Sequence, residues 1–320
     1  MPEQPIPPVA SPSPAVSHAM PWADRLCQAI ADRHSVVCVG LDPRTDLLPP
    51  SLLPADTNPA TVADSYRRFS EGIIDAVADL VPVVKPQAAF FEQLGPAGMV
   101  ALGQVIRHAI AAGLLVVLDA KRNDIGTTAE AYAAAYLGRS TPWQSDCLTV
   151  SPYLGDDSLE PFVDACQRSA AGIFVLVKTS NPGGGFLQDR VCDGEPIFRT
   201  VARWITATNE PLVGQSGYGP VGAVVGATYP EQLAELRAAM PNALILIPGF
   251  GAQGGAARDV AVGFDANGTG AIVNNSRNIL FAYRRPEFSG SYGPSRWQDA
   301  AREATREMNS QLNELRPTKS

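Results

Sequence analysis

Between Leu115 and Thr128 the chain reads LVVLDAKRNDIGTT, an apolar run that ends in Asp119, Lys121, Arg122 and Asp124. Lysine occurs only four times in 320 residues, as Lys85, Lys121, Lys178 and Lys319, so one placed between two aspartates calls for a physical reason. On a strand, residues i and i+2 share a face, which sends Asp119 and Lys121 to the same side and leaves Asp124 on the loop beyond. Burial disfavours a charged amine, whereas flanking carboxylates restore its proton. The Asp-x-Lys-x-x-Asp spacing therefore suits an ammonium kept charged in a dry site, as a cation or a proton donor. Lys85, ending the run VPVVKPQ, adds a second cation and makes an alternating array of charge. A structural salt-bridge network is the alternative, but buried ion pairs often fail to recover their desolvation cost.

A second constellation lies further on. PGFGAQGG, Pro248 to Gly255, carries Gly249, Gly251, Gly254 and Gly255, where bare backbone N–H groups can approach an anion and open a helix N-terminus. VNNSRNI, Val273 to Ile279, supplies Arg277 after the next apolar run. Together they imply a phosphorylated small molecule. Neither GxGxxG in a Rossmann setting nor GxxxxGK[ST] is present, which argues against a dinucleotide or a P-loop nucleotide.

The elements that must position these groups follow a regular alternation. Strand candidates are VVCVGLD (36–42), VPVVKPQ (81–87), LLVVLDAK (114–121), CLTVSPYL (147–154), GIFVLVKT (172–179), VGAVVGAT (221–228), ALILIPGF (243–250) and AIVNNSR (271–277). Helical segments lie between them, among them 61–80, 97–112, 127–137, 157–170, 196–208 and 230–240. Near-continuous apolar strands each followed by a helix read as parallel strands buried on both faces. Their number favours a (β/α)8 TIM barrel over an open doubly wound sheet. Asp42, Lys85, Asp119, Lys121, Ser151, Lys178, Ser180, Gly249, Gly251 and Arg277 then fall at the C-terminal ends of strands, the catalytic face of such barrels. Taken singly, each is as readily a helix cap or a surface ion pair; three of four lysines at strand ends is harder to ascribe to solvation.

Two long loops stand out, Pro43 to Pro59 and Ser180 to Glu195, and the glycine-rich second one reads as a lid or binding loop. Residues 1–20, with six prolines in the first fourteen, are expected to form a disordered tail, and residues 21–316 a single barrel domain. A net charge of −7 argues against nucleic acid or an acidic membrane as partner. The five scattered cysteines suggest reduced thiols, and the three histidines offer no ligand spacing, so no metal site is expected. No apolar run reaches membrane length and no secretory signal is evident, which points to the cytoplasm.

LDAKRNDIGTTAEAYA, KPQAAFFEQLG, VSPYLGDDSLEPF, VKTSNPGGGF, IPGFGAQGG and VNNSRNI, in this order, resemble the orotidine 5′-phosphate decarboxylases of the longer bacterial subfamily, from about Val36 to Tyr283. The resemblance implies a cofactor-independent decarboxylation of orotidine 5′-monophosphate to UMP and CO2. It makes Lys121 the proton donor, held in the array Lys85–Asp119–Lys121 and completed by Asp124 from the other subunit of a dimer. It gives Asp42 and Lys85 the ribose, Thr128 a reach across the dimer, Ser180 the pyrimidine, and Gln253 and Arg277 the phosphate. One departure is Asn123, where the subfamily pattern leads us to expect glycine. Metal-dependent sugar-phosphate decarboxylases or aldolases on the same barrel share the Asp-x-Lys-x-x-Asp motif and are the competing enzyme class; a non-catalytic nucleotide-binding barrel is the competing reading without chemistry.

Overall fold

The computed structural model describes residues 20–249 and 257–317. Eight parallel strands close into a barrel: β1 (Val37–Leu41), β2 (Val83–Pro86), β3 (Leu115–Arg122), β4 (Cys147–Val150), β5 (Gly172–Lys178), β6 (Val221–Val225), β7 (Ile245–Ile247) and β8 (Ala271–Asn275). Each lies beside its neighbours in sequence, and β8 returns to β1 with Val37 opposite Val273. Seven fall within the expected runs, and β3 runs one residue past its own, to Arg122. The β-branched residues that mark them are buried almost throughout, which is what a strand covered on both faces requires.

The helices form the outer layer. The six expected segments become α2 (Pro59–Val77), α4 (Gly95–Ala111), α5 (Gly126–Tyr136), α6 (Glu160–Ser169), α7 (Ile197–Asn209) and α8 (Pro230–Ala239). Around them lie α1 (Trp22–Arg33), the short α3 (Ala88–Glu92), α9 (Ala257–Ala261), α10 (Arg277–Leu280) and α11 (Pro286–Ser289), and the long α12 (Trp297–Leu315). Asn58 starts α2 by accepting the Ala60 N–H at 2.9 Å, and Pro59 follows at the first helical position.

Helix α1 closes the N-terminal end of the barrel. Trp22 packs edge-on to Phe174, with ring centroids 6.4 Å apart, and fills the space a side chain at Gly172 would need. Arg25 donates to Asp146 at 2.5 Å just ahead of β4, and Asp24 accepts the Ser216 N–H at 2.7 Å ahead of β6. No helix among the described residues is long and apolar enough to cross a membrane.

Candidate active site

At the C-terminal ends of the strands, β2 and β3 bring Lys85 and Asp119 face to face, with Lys85 Nζ 2.7 Å from Asp119 Oδ2. Lys121 Nζ reaches Asp119 Oδ1 at 2.6 Å. Gln87 Nε2 donates to Oδ2 at 3.0 Å and the Thr149 hydroxyl to Oδ1 at 2.9 Å. Both oxygens of the carboxylate are thus doubly engaged, and its four acceptor sites are filled.

Charge inside this cluster is fixed by opposition. Burial alone would raise the Asp119 carboxyl, but the Lys85 and Lys121 ammonium groups override it and hold the carboxyl well below the usual range. Burial would likewise lower Lys85, and the charges of Asp119 and Asp42 reverse that, raising it above the ordinary lysine value. Beneath the array, burial pushes the Cys38 thiol up to about 12 against the pull of Lys85, so this cysteine stays protonated.

The strand carrying the array is not regular. β3 pairs with β4 through Leu118–Leu148 and again through Arg122–Val150, so β3 bulges between those pairs. Lys121, at φ 47°, sits in the left-handed region, which costs a non-glycine residue roughly 1–3 kcal/mol. Face-sharing between i and i+2 therefore gave the right pair, though a bulge rather than a flat strand brings the two side chains together. The expectation of a dry lysine needs correction as well. Lys85 is the buried cation, whereas the Lys121 side chain is 47% exposed, because the bulge lifts its backbone to the rim and only its ammonium reaches inward.

Arg122, next in sequence, points the other way. Its guanidinium pairs with Glu92 of α3, donates to the Tyr136 hydroxyl at 3.1 Å and lies over the Tyr132 and Tyr136 rings of α5. This clamp holds the far side of the bulge. Asn123 does not adopt positive φ, so the position expected to be glycine makes no demand for glycine's freedom.

The remaining expected site residues surround this core. Asp42 lies just past β1 on the face shared by Gly40 and Cys38, its Oδ1 buried and without a hydrogen-bond partner. Asp124 precedes α5, its Oδ1 accepting the Ile125 N–H at 2.9 Å, and no ion pair ties it to Lys121. Thr128 is exposed in the first turn of α5. Ser180 follows β5 and abuts Gly226, where an added Cβ would come within 2.9 Å of the Ser180 Cβ. Arg277 begins α10 two residues past β8 and is exposed. Gly251 and Gln253 lie outside the described residues.

Lys178, whose part was open from sequence, is buried at the end of β5 and pairs with Asp189, its ammonium 5.6 Å from the Phe198 ring centre and 5.8 Å from that of Tyr229. Sequence reasoning passed over Gln87 and Thr149. Gln87 stands two residues after Lys85, so the same alternation that linked Asp119 to Lys121 could have found it. Thr149 sits inside an apolar strand, where threonine reads as an ordinary strand former. Among the described residues no group of three or more His, Cys, Asp or Glu could hold a metal.

Fold and site define a parallel (β/α)8 barrel with a Lys–Asp–Lys array at the C-terminal ends of β2 and β3. The chain belongs to the orotidine 5′-phosphate decarboxylase / HUMPS family, whose model matches residues 35–287. It is 62% identical over 299 residues to the orotidine 5′-phosphate decarboxylase of Rhodopirellula baltica, covering 92% of this chain and 99% of that one. It is 43% identical over 262 residues to the Deinococcus radiodurans enzyme of the same name, covering 82% of this chain and 89% of that one. The structure of Leishmania donovani OMP decarboxylase superposes with a TM-score of 0.71 at 33% identity, over 92% of this chain and 99% of that one.

Proposed function

We propose that this chain decarboxylates orotidine 5′-monophosphate to UMP and CO2 in pyrimidine biosynthesis, with Lys121 as the proton donor. The observation that carries the reading is the array Lys85–Asp119–Lys121, in which one carboxylate is saturated by two ammonium groups and two neutral donors. Breaking the bond from C6 to the carboxyl carbon leaves the electron pair on C6, where no ring position delocalises it. A fixed ammonium stabilises that pair electrostatically and then delivers its proton to C6. The half-exposed Lys121 stem leaves the resulting amine open to reprotonation by solvent.

Asp119, facing the departing carboxylate, raises the ground state, a contribution whose weight is debated. Enzymes generally lower barriers by about 8–23 kcal/mol, more than one lysine can supply. Binding energy from the phosphate must therefore be used at the reacting carbon. Arg277 and, in the segment outside the described residues, Gly251 and Gln253 are assigned to that phosphate; Asp42 and Lys85 to the ribose; Ser180 to the pyrimidine. The unpartnered Asp42 Oδ1 supports its assignment, since a buried acceptor without a donor matches a sugar hydroxyl.

Asp124 and Thr128 are assigned to the neighbouring subunit's site in a homodimer, and their position supports this: Thr128 is exposed in the first turn of α5, and Asp124, half-buried just before that helix, makes no ion pair with Lys121 of its own chain. The reaction requires no cofactor or metal in this reading, and a cytoplasmic setting accords with it. The test is a spectrophotometric assay of orotidylate decarboxylation. Wild type turns over, Lys121→Ala and Asp124→Ala do not, and subunits of the two variants, unfolded and refolded together, regain about a quarter of wild-type activity because mixed dimers assemble one intact site. Full activity of Lys121→Ala would refute the proton donor, and no recovery on mixing would refute the shared site.

A further inference from the structure

The bulge in β3 leaves two backbone donors to be accounted for. Between the pairs Leu118–Leu148 and Arg122–Val150, β3 advances further than β4, so the N–H groups of Ala120 and Lys121 have no carbonyl opposite them on β4. Both converge instead on the side-chain oxygen of Thr149, the residue between Leu148 and Val150, at 3.1 and 3.0 Å. Successive N–H groups that converge in this way form a concavity suited to an electron-rich atom. A hydroxyl has two lone pairs and one proton. With both lone pairs taken, the proton has one direction left, and the Asp119 Oδ1 lies there at 2.9 Å.

Thr149 is only 1% exposed, so water does not compete for any of the three bonds. Its hydroxyl thus joins the left-handed backbone of Lys121 to the carboxylate that the Lys121 ammonium grips. Valine has nearly the same shape but would leave the two part-buried N–H groups unpaired and take one donor from Asp119. Serine would keep all three bonds and lose only a methyl group.

We propose that Thr149 is a positioning residue for the decarboxylation: its hydroxyl fixes the bulge that presents Lys121 and the orientation of Asp119, so that ammonium and carboxylate hold the geometry proton delivery needs. This rests on the reading of Lys121 as proton donor. The hydrogen bonds of the Thr149 side chain go to Ala120, Lys121 and Asp119, and none reaches Asp42, Lys85 or Arg277. Its loss should therefore slow the chemical step and spare binding, whereas a merely structural role would weaken both.

The experiment compares kcat, the KM for orotidylate and the inhibition constant of UMP in wild type, Thr149→Val, Thr149→Ala and Thr149→Ser, with Lys121→Ala assayed alongside. Thr149→Val is expected to lower kcat on the order of a hundredfold, the scale of a small misplacement of reacting groups, with UMP inhibition at its wild-type value. Thr149→Ser should restore kcat. Thr149→Ala, which introduces no misplaced methyl, should show the same split if the valine variant fails to fold. Wild-type kcat in the valine or alanine variant, a loss of UMP binding that matches the loss of kcat, or a serine variant no better than alanine would each overturn the role. If Lys121→Ala is inactive while Thr149→Val is unimpaired, Thr149 alone is dismissed; if Lys121→Ala turns over normally, the proton-donor reading falls and this inference with it.

Discussion

Two lysines share one carboxylate on unequal terms. The Lys85 side chain is 6% exposed and that of Lys121 is 47% exposed, although each is bonded to Asp119. Removing Asp119 would strand Lys85 in the barrel without its ion-pair partner, a change that typically costs about 3–5 kcal/mol, whereas removing the half-exposed Lys121 should cost no more than about 1 kcal/mol. Urea denaturation of Asp119→Ala and Lys121→Ala measures both, and equal losses would contradict the division of labour. The sign of the pH dependence follows from the directions of shift. Asp119 is depressed, so its contribution is complete above the unfolded carboxyl value of about 3.9 and is lost as pH falls through its folded value. Lys85 is raised, so its contribution is complete below about 10.4 and is lost as pH rises through its folded value. The stability gap between wild type and Asp119→Ala should therefore be constant near neutrality and narrow in acid. The pairing of Asp119 with Lys121 was legible because side-chain alternation survives as far as Asp119. The exposure of Lys121 was not, because no residue type in LDAKRND announces a left-handed lysine.

Among the elements, the segment after β5 is tied back to the end of that strand by side-chain contacts. Lys178 pairs with Asp189; Thr179 N–H donates to Gln188 at 3.0 Å; and the chain between runs through a 3₁₀ turn, Pro182–Phe186, before a short hairpin at 191–196. The segment lies over a cavity of about 470 Å3 lined in part by Ser151, Leu176, Gln188 and Phe198. Lys178→Met should loosen it and with it Ser180, raising the KM for orotidylate about tenfold, or about 1.4 kcal/mol of binding, while kcat changes little. Steady-state kinetics decides this, and an unchanged KM would separate the loop from substrate binding. From sequence this stretch reads only as a glycine-rich loop, since its turn and hairpin depend on contacts to Lys178 and Phe198. The eight strands were legible because β-branched runs and strand length agree. Helices α1 and α12 escaped the reading, since they lie before β1 and after β8, outside the strand–helix alternation that marked the others.

For the whole molecule, the two ends of the barrel have separate duties: the array occupies the C-terminal end, and α1 seals the other. Gly172→Ala tests that separation. Its methyl would collide with the Trp22 indole, and overpacking of this kind costs about 1–3 kcal/mol. A lower denaturation midpoint with kcat near wild type is expected; an equal fall in activity without loss of stability would join the two ends. The seal also has a history within each molecule. Helix α1 leaves the ribosome before any strand, yet the groups it bonds follow Arg25 by 121 and 145 residues and Asp24 by 192. Its full set of contacts must wait until the segment ahead of the sixth strand has been made, and such distant pairings are the slow ones. A helix made ahead of the barrel strands is thus seated only once most of them exist.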